Sequence, residues 1–192
     1  MNNSKETLQK TTKEKISDKA FQLFKEHGYD NVSVRQIAAE LDITTGALYY
    51  HFKNKADIII NRTVGNEDII RQKAYDPSIP TRKGQILSLF TTLIADFILF
   101  EGPEICAIRM WGRDLNINRS KSLEETLTNL VSDAINKKEL SSEYTPEIIT
   151  NSILYTFRGI AYCWATGKEQ FDIRSVLESE ISKVLSFYSM TA

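Results

Sequence analysis

Proline and glycine are scarce in this chain, four and eight residues out of 192. So few breakers leave room for long helices and little for a turn-rich β architecture. Cysteine is scarcer still. Cys106 and Cys163, far apart, exclude a disulfide scaffold and a zinc motif and read as two buried thiols in a reducing compartment. There are two histidines, His27 and His51, neither near a plausible nucleophile. With no glycine-rich phosphate loop and no metal-spaced cluster, neither an enzyme nor a bound cofactor or metal is expected. No apolar run reaches the ~18 residues that a membrane span needs. The longest, Leu93 to Phe100, is broken by Asp96. The first fifteen residues are polar and lack the apolar centre of a signal peptide. A cytoplasmic protein that does not engage membranes is expected. The net charge of −1 excludes a uniformly basic nucleic-acid binder, although residues 1–55 carry nine Lys and Arg against seven Asp and Glu, the sign expected of a DNA-contacting end.

What is present is helical periodicity. After a polar tail over 1–10, Ile16, Ala20, Leu23, Phe24 and His27 fall on one face of a helix starting at Thr12. His27 is thereby expected to be structural. Gly28 stands where helices stop, with Tyr29 placed to fold back on the last turn. Ser33 and Gln36 form a capping-box pattern ahead of the stripe Val34, Ile37, Ala38, Leu41. A third helix starts at Thr44 or Thr45 with Leu48 and Phe52 on one face. Asn54 caps a fourth, expected to run to about Ala74 before the Asp76–Pro80 stretch. Five more are expected at about 82–100, 103–117, 120–138, 145–167 and 173–189. The fold class is all-α with about nine helices.

Residues 33–52, SVRQIAAELDITTGALYYHF, read as two short amphipathic helices joined by a tight turn. Ala38 and Ala39 are small enough for them to cross closely. That is a helix-turn-helix, whose second helix fits a major groove. Removing the core positions from that helix leaves Thr45, Gly46, Ala47, Tyr49, Tyr50 and His51, with Thr44 at its start. A solvated face normally carries Lys, Glu and Gln; this one carries small residues, hydroxyls, two aromatics and an imidazole. Thr and Ala suit thymine methyls, Tyr and His suit phosphates or base edges, and Gly46 lets backbone approach. Lys53 and Lys55 suit phosphate contact.

The stretch from Thr12 to Ile59 resembles the DNA-binding domain of the TetR family of regulators. The residues that carry the resemblance are Ala20–Phe24 with Gly28–Tyr29, Val34–Ala38, and above all Thr45-Gly46-Ala47-Leu48-Tyr49-Tyr50-His51-Phe52 followed by Lys53-Asn54-Lys55. The resemblance implies that Thr45, Gly46, Ala47, Tyr49, Tyr50 and His51 read double-stranded DNA. It implies that Lys55 holds a backbone phosphate, and that Ser33 and Arg35 open the helix crossing the backbone, with Lys13 or Lys15 adding a contact. It further implies a helix-turn-helix domain over 1–55 and an effector-binding and dimerisation domain over 56–192. The latter would form a homodimer through the helices at about 145–167 and 173–189. A small, often hydrophobic effector would occupy a cavity there, for which Phe90, Ile94, Phe97, Ile98, Ile108, Trp111, Tyr155, Arg158 and Tyr162 are the candidate lining. Arg109, Arg113 and Arg158 lie in apolar helices and pair with a carboxylate such as Asp96, Glu104 or Asp114, or else meet an anionic ligand. The expected function is a repressor released from a near-palindromic operator by its effector. An activator, a protein-responsive regulator and an effector-free structural DNA-binding protein are the alternatives.

Overall fold

The computed structural model describes residues 11–64, 67–111, 121–167 and 171–189. Among these residues there are ten helices and no strand. They are α1 Thr12–His27, α2 Val34–Glu40, α3 Thr45–His51, α4 Lys55–Val64, α5 Glu67–Ala74, α6 Arg82–Glu101, α7 Pro103–Trp111, α8 Lys121–Asn136, α9 Pro146–Thr166 and α10 Ile173–Phe187. The expected helix over 55–74 is helical on both sides of residues 65–66, which lie outside the described residues, and its two parts are numbered α4 and α5. The chain divides into two compact units, residues 1–62 and 63–192.

In the first unit, Thr11 caps α1 in a reciprocal pair. Its hydroxyl accepts the Glu14 N–H at 3.3 Å, and the Glu14 carboxylate accepts the Thr11 N–H at 2.7 Å. Such a pair satisfies two donors that a helix start leaves open. Gly28, at φ 82°, ends the helix and donates to the Phe24 carbonyl. Ile16, Ala20, Phe21, Leu23 and Phe24 are buried. His27 is not: it is exposed beside Glu26, 3.9 Å away. The Phe24 and Tyr29 rings, 5.0 Å apart, close the apolar face at that end and leave the imidazole outside it.

In the second unit, the core is built from one face each of α6, α8, α9 and α10, with Phe90 and Phe157 in ring contact at 5.3 Å. By length and composition α6 would pass for a membrane span, but Ile86, Leu89, Phe90 and Ala95 are buried in this core. The chain after α8 turns through Lys138 at φ 58°. That turn brings Glu139 back, and its carboxylate accepts the N–H groups of Arg82 and Lys83 at 3.0 and 2.9 Å. An anion thus sits at the positive end of α6. The middle of α6, Leu89–Ile94, is π-helical.

Candidate nucleic-acid interface

Local chemistry marks the ends of α2 and α3. The Ser33 hydroxyl accepts the Gln36 N–H at 3.2 Å and Gln36 Oε1 accepts the Ser33 N–H at 2.7 Å. At the other end of α2 the Ile43 N–H reaches the Ala38 carbonyl and the Asp42 N–H reaches that of Ala39. This six-to-one and five-to-two pattern requires a left-handed residue between. Asp42 supplies it at φ 54°, a conformation that Asp tolerates better than most side chains. The turn is therefore tight without a glycine. Thr44 then caps α3, its hydroxyl accepting the Ala47 N–H at 3.1 Å.

On α3, Leu48 and Phe52 are buried at 0% and 1% exposure. Tyr49 and Tyr50 stand out at 54% and 86%. Thr44, Gly46 and Ala47 are exposed, and Thr45 and His51 half-buried. The Tyr50 and His51 rings meet edge to face at 5.1 Å. The structure thus gathers Thr44, Thr45, Gly46, Ala47, Tyr49 and Tyr50 on one short helix pinned by two apolar anchors. A Cβ added at Gly46 would meet only the Thr44 hydroxyl, at 3.8 Å. The packing around it therefore leaves room for a side chain at this position. Ser33 and Arg35 are exposed at the start of α2, with Ser33 engaged as the cap.

Lys55 is placed differently from a side chain reaching outward. Its ammonium donates to the Tyr29 and Val32 carbonyls at 2.6 and 2.9 Å and lies 3.9 Å from the Tyr29 ring centre. It ties the start of α4 to the α1–α2 loop. Sequence reasoning missed this, and missed the left-handed Asp42. The carbonyl partners of Lys55 lie 26 and 23 residues earlier in the chain, where no local pattern points to them. Asn54 caps α4 as read, accepting the Asp57 N–H at 2.8 Å.

The candidate effector pocket is only partly brought together. Phe90, Ile94 and Ile98 are buried and Phe97 packs against them, while Ile108 is half-buried. The Trp111 side chain, like Arg113 and Asp114, lies outside the described residues. Tyr155 and Tyr162 correct the expectation. They are exposed, at 65% and 41%, because the inward face of α9 is already taken by Ile153, Leu154, Phe157, Ile160, Ala161 and Trp164. Residues 155, 158 and 162 share one helical face, so half-buried Arg158 belongs with the two tyrosines. A cleft of about 390 Å³ does occur in this unit, where Ile135 and Asn136 of α8 face Tyr144 and Pro146, and none of the candidate residues lines it. Arg109 does pair with a carboxylate, but the partner is Glu101 across the α6–α7 turn. Asp96 pairs instead with Arg174.

Comparison with known proteins agrees with the helix-turn-helix geometry. Residues 16–61 match the family model of bacterial regulatory proteins, tetR family. The chain is 24% identical over 196 residues to the HTH-type transcriptional regulator AcrR of Shigella flexneri, covering 92% of this chain and 89% of that one. It is 45% identical over 49 residues to an HTH-type transcriptional regulator of Staphylococcus aureus, 26% of each chain. In fold it is similar to Thermus thermophilus FadR, described as a TetR-family repressor in complex with lauroyl-CoA. The TM-score is 0.70 at 14% identity, with 94% and 96% of the two chains covered. Together these support a TetR/AcrR-type transcriptional regulator as the kind of protein that this chain is similar to.

Proposed function

We propose that this protein is a cytoplasmic, homodimeric repressor that reads a near-palindromic operator with α3 and leaves it when a small apolar effector binds its second unit. The observation that carries the reading is the exposed face of α3. Two bare tyrosines, a glycine that nothing inside requires, and small residues sit on a helix held by Leu48 and Phe52. Such a face has no use in the protein's own packing and suits a major groove. In this reading residues 1–55 contact DNA and 56–192 receive the effector and the second subunit. Ser33, Arg35, Thr44, Thr45, Gly46, Ala47, Tyr49, Tyr50 and His51 contact DNA, and Lys55 buttresses them from behind. The dimer forms through α9 and α10, whose outward sides carry Ile148, Tyr155, Tyr162 and Phe187 exposed. That placement gives the two tyrosines a use across a subunit boundary rather than in a cavity. Two recognition helices about 34 Å apart would meet successive major grooves.

An apolar effector is supported by the fold relative that holds lauroyl-CoA and by the apolar cluster Phe90, Ile94, Phe97 and Ile98. Selection of bound duplexes from a random pool at physiological salt tests the reading. Recovery of a near-palindrome, released by long-chain acyl-CoA, is expected. Sequence-blind, salt-sensitive binding would instead favour an effector-free structural DNA-binding protein, and stimulated transcription from the selected site would favour an activator.

A further inference from the structure

The π-helical turn of α6 has a reader. In an α-helix the Ala95 N–H would bond the carbonyl four residues back, that of Thr91. Here it passes over Thr91 and donates to the carbonyls of Phe90, five back, and Thr92, three back. The Thr91 carbonyl receives Arg174 Nη1 at 2.9 Å instead, and Nη2 of the same guanidinium pairs with the Asp96 carboxylate. Thr91 and Asp96 are five residues apart. In an α-helix such residues stand about 140° apart around the axis. A π segment holds more residues per turn, which brings residues five apart closer to one side of the helix. One planar fork from the start of α10 spans both groups because the register is π.

We propose that α6 is a two-register helix whose π form is held by Arg174, so that loss of this clamp lets the extra residue relax and turns the following segment. Moving one residue out of the bulge rotates everything beyond it by about 100°. Phe97, Ile98 and the exposed Phe100 would then each turn to about the angular position of a chain neighbour, while the start of α6 stays tied to Glu139. The bulge contains Phe90 and Ile94, and Phe97 and Ile98 follow it. An apolar molecule wedged among these four side chains would act on the bulge directly, and α10 would feel it through Arg174. The use of the device in regulation rests on the effector reading above; the two registers do not.

The test uses the full-length protein with isoleucine methyl labels, as wild type, Arg174→Gln and Asp96→Asn. Arg174 and Asp96 side chains are 41% and 58% exposed, so both variants should fold. The expected result is a second set of Ile94 and Ile98 methyl signals, or exchange broadening, in Arg174→Gln and more weakly in Asp96→Asn, with Ile149 and Ile153 of α9 unmoved. Deleting Thr92 from Arg174→Gln removes the extra residue and should restore a single set. Ile94 and Ile98 signals identical to wild type would overturn the proposal, as would equal disturbance at Ile149 and Ile153. On an operator selected by the wild type, Arg174→Gln should change affinity about fivefold or more. Unchanged affinity with two registers present would overturn the regulatory use. A wild type that selects no operator would sink the DNA reading and leave the methyl result standing.

Discussion

The Lys55 ammonium lies against the face of the Tyr29 ring, 3.9 Å from its centre, while donating to the Tyr29 carbonyl oxygen at 2.6 Å. One cation thus closes the α1–α2 loop from the start of α4. A charge so engaged stabilises the reading domain before any nucleic acid arrives.

Lys55→Met should therefore lower stability by about 2 kcal/mol, the net worth of charge-assisted hydrogen bonds of this kind. Urea unfolding would measure it. The salt dependence of operator binding supplies the contrast. A lysine serving mainly as a phosphate contact would reduce the log–log slope by about one on removal, whereas a buttress should leave that slope nearly unchanged.

Gly46→Ala should fold at least as well as the wild type. A Cβ has room there, and alanine in place of helical glycine is worth about 0.5–1 kcal/mol. Its operator affinity should nonetheless fall, because the methyl stands where backbone is to approach DNA. Tyr50→Ala should likewise keep the melting temperature and lose about 1–3 kcal/mol of operator binding. Leu48→Ala should show the opposite order, losing about 2–5 kcal/mol of stability. Loss of stability in Tyr50→Ala with full binding would reverse the assignment of the two faces.

Glu101 and Arg109 form an ion pair whose side chains are only 9% and 18% exposed. Arg109→Ala should be costly, about 3–5 kcal/mol, because it leaves a carboxylate buried without its partner. The double variant Glu101→Leu with Arg109→Met should recover most of that loss. Thermal melts of the two variants decide the matter; a double variant as unstable as the single would show that the pair is needed for more than charge neutrality.

Burial, with Glu101 adding to it and Arg109 opposing, pushes the Cys106 thiol up to about 11, whereas Cys163, expected to be buried, is exposed because Ile160, Ala161 and Trp164 take the inward face of α9. At pH 8 one thiol should react with a disulfide reagent in the native protein and the second only in denaturant. The sign for stability follows from linkage. An unfolded thiol ionises near 8.5, so the unfolded chain sheds its proton first. The contribution of Cys106 is full below about pH 8.5 and is lost as pH rises towards about 11. Cys106→Val should flatten that decline in the urea midpoint.

Elements governed by near neighbours in the chain were readable before any coordinates. Ser33 with Gln36, Thr44 with Ala47 and Asn54 with Asp57 are contacts over three residues, and the apolar stripes repeat every turn. On α10, Ile173, Leu177, Ile181 and Leu185 recur at this spacing and are buried, with Val176 and Val184 beside them half-buried. His27 failed because period alone cannot say where along a helix the packing stops. Tyr155 and Tyr162 failed because aromatic character does not say which side of α9 the core occupies once Phe157 and Trp164 have filled it.

By itself, then, the sequence determined an all-α chain, a helix-turn-helix over residues 33–52, and which side chains of α3 are left outward, because capping and amphipathic period act over one or two turns. Tertiary structure alone decided that Lys55 is bound to the loop behind it, that Arg109 meets Glu101, and that Arg174 reaches across 78 residues to hold a π turn in α6. Those partners are chosen by which elements happen to lie side by side. A charged group near a semi-buried surface takes whatever carbonyl or carboxylate the fold brings within reach, since leaving it unpaired costs more than any local preference can offset.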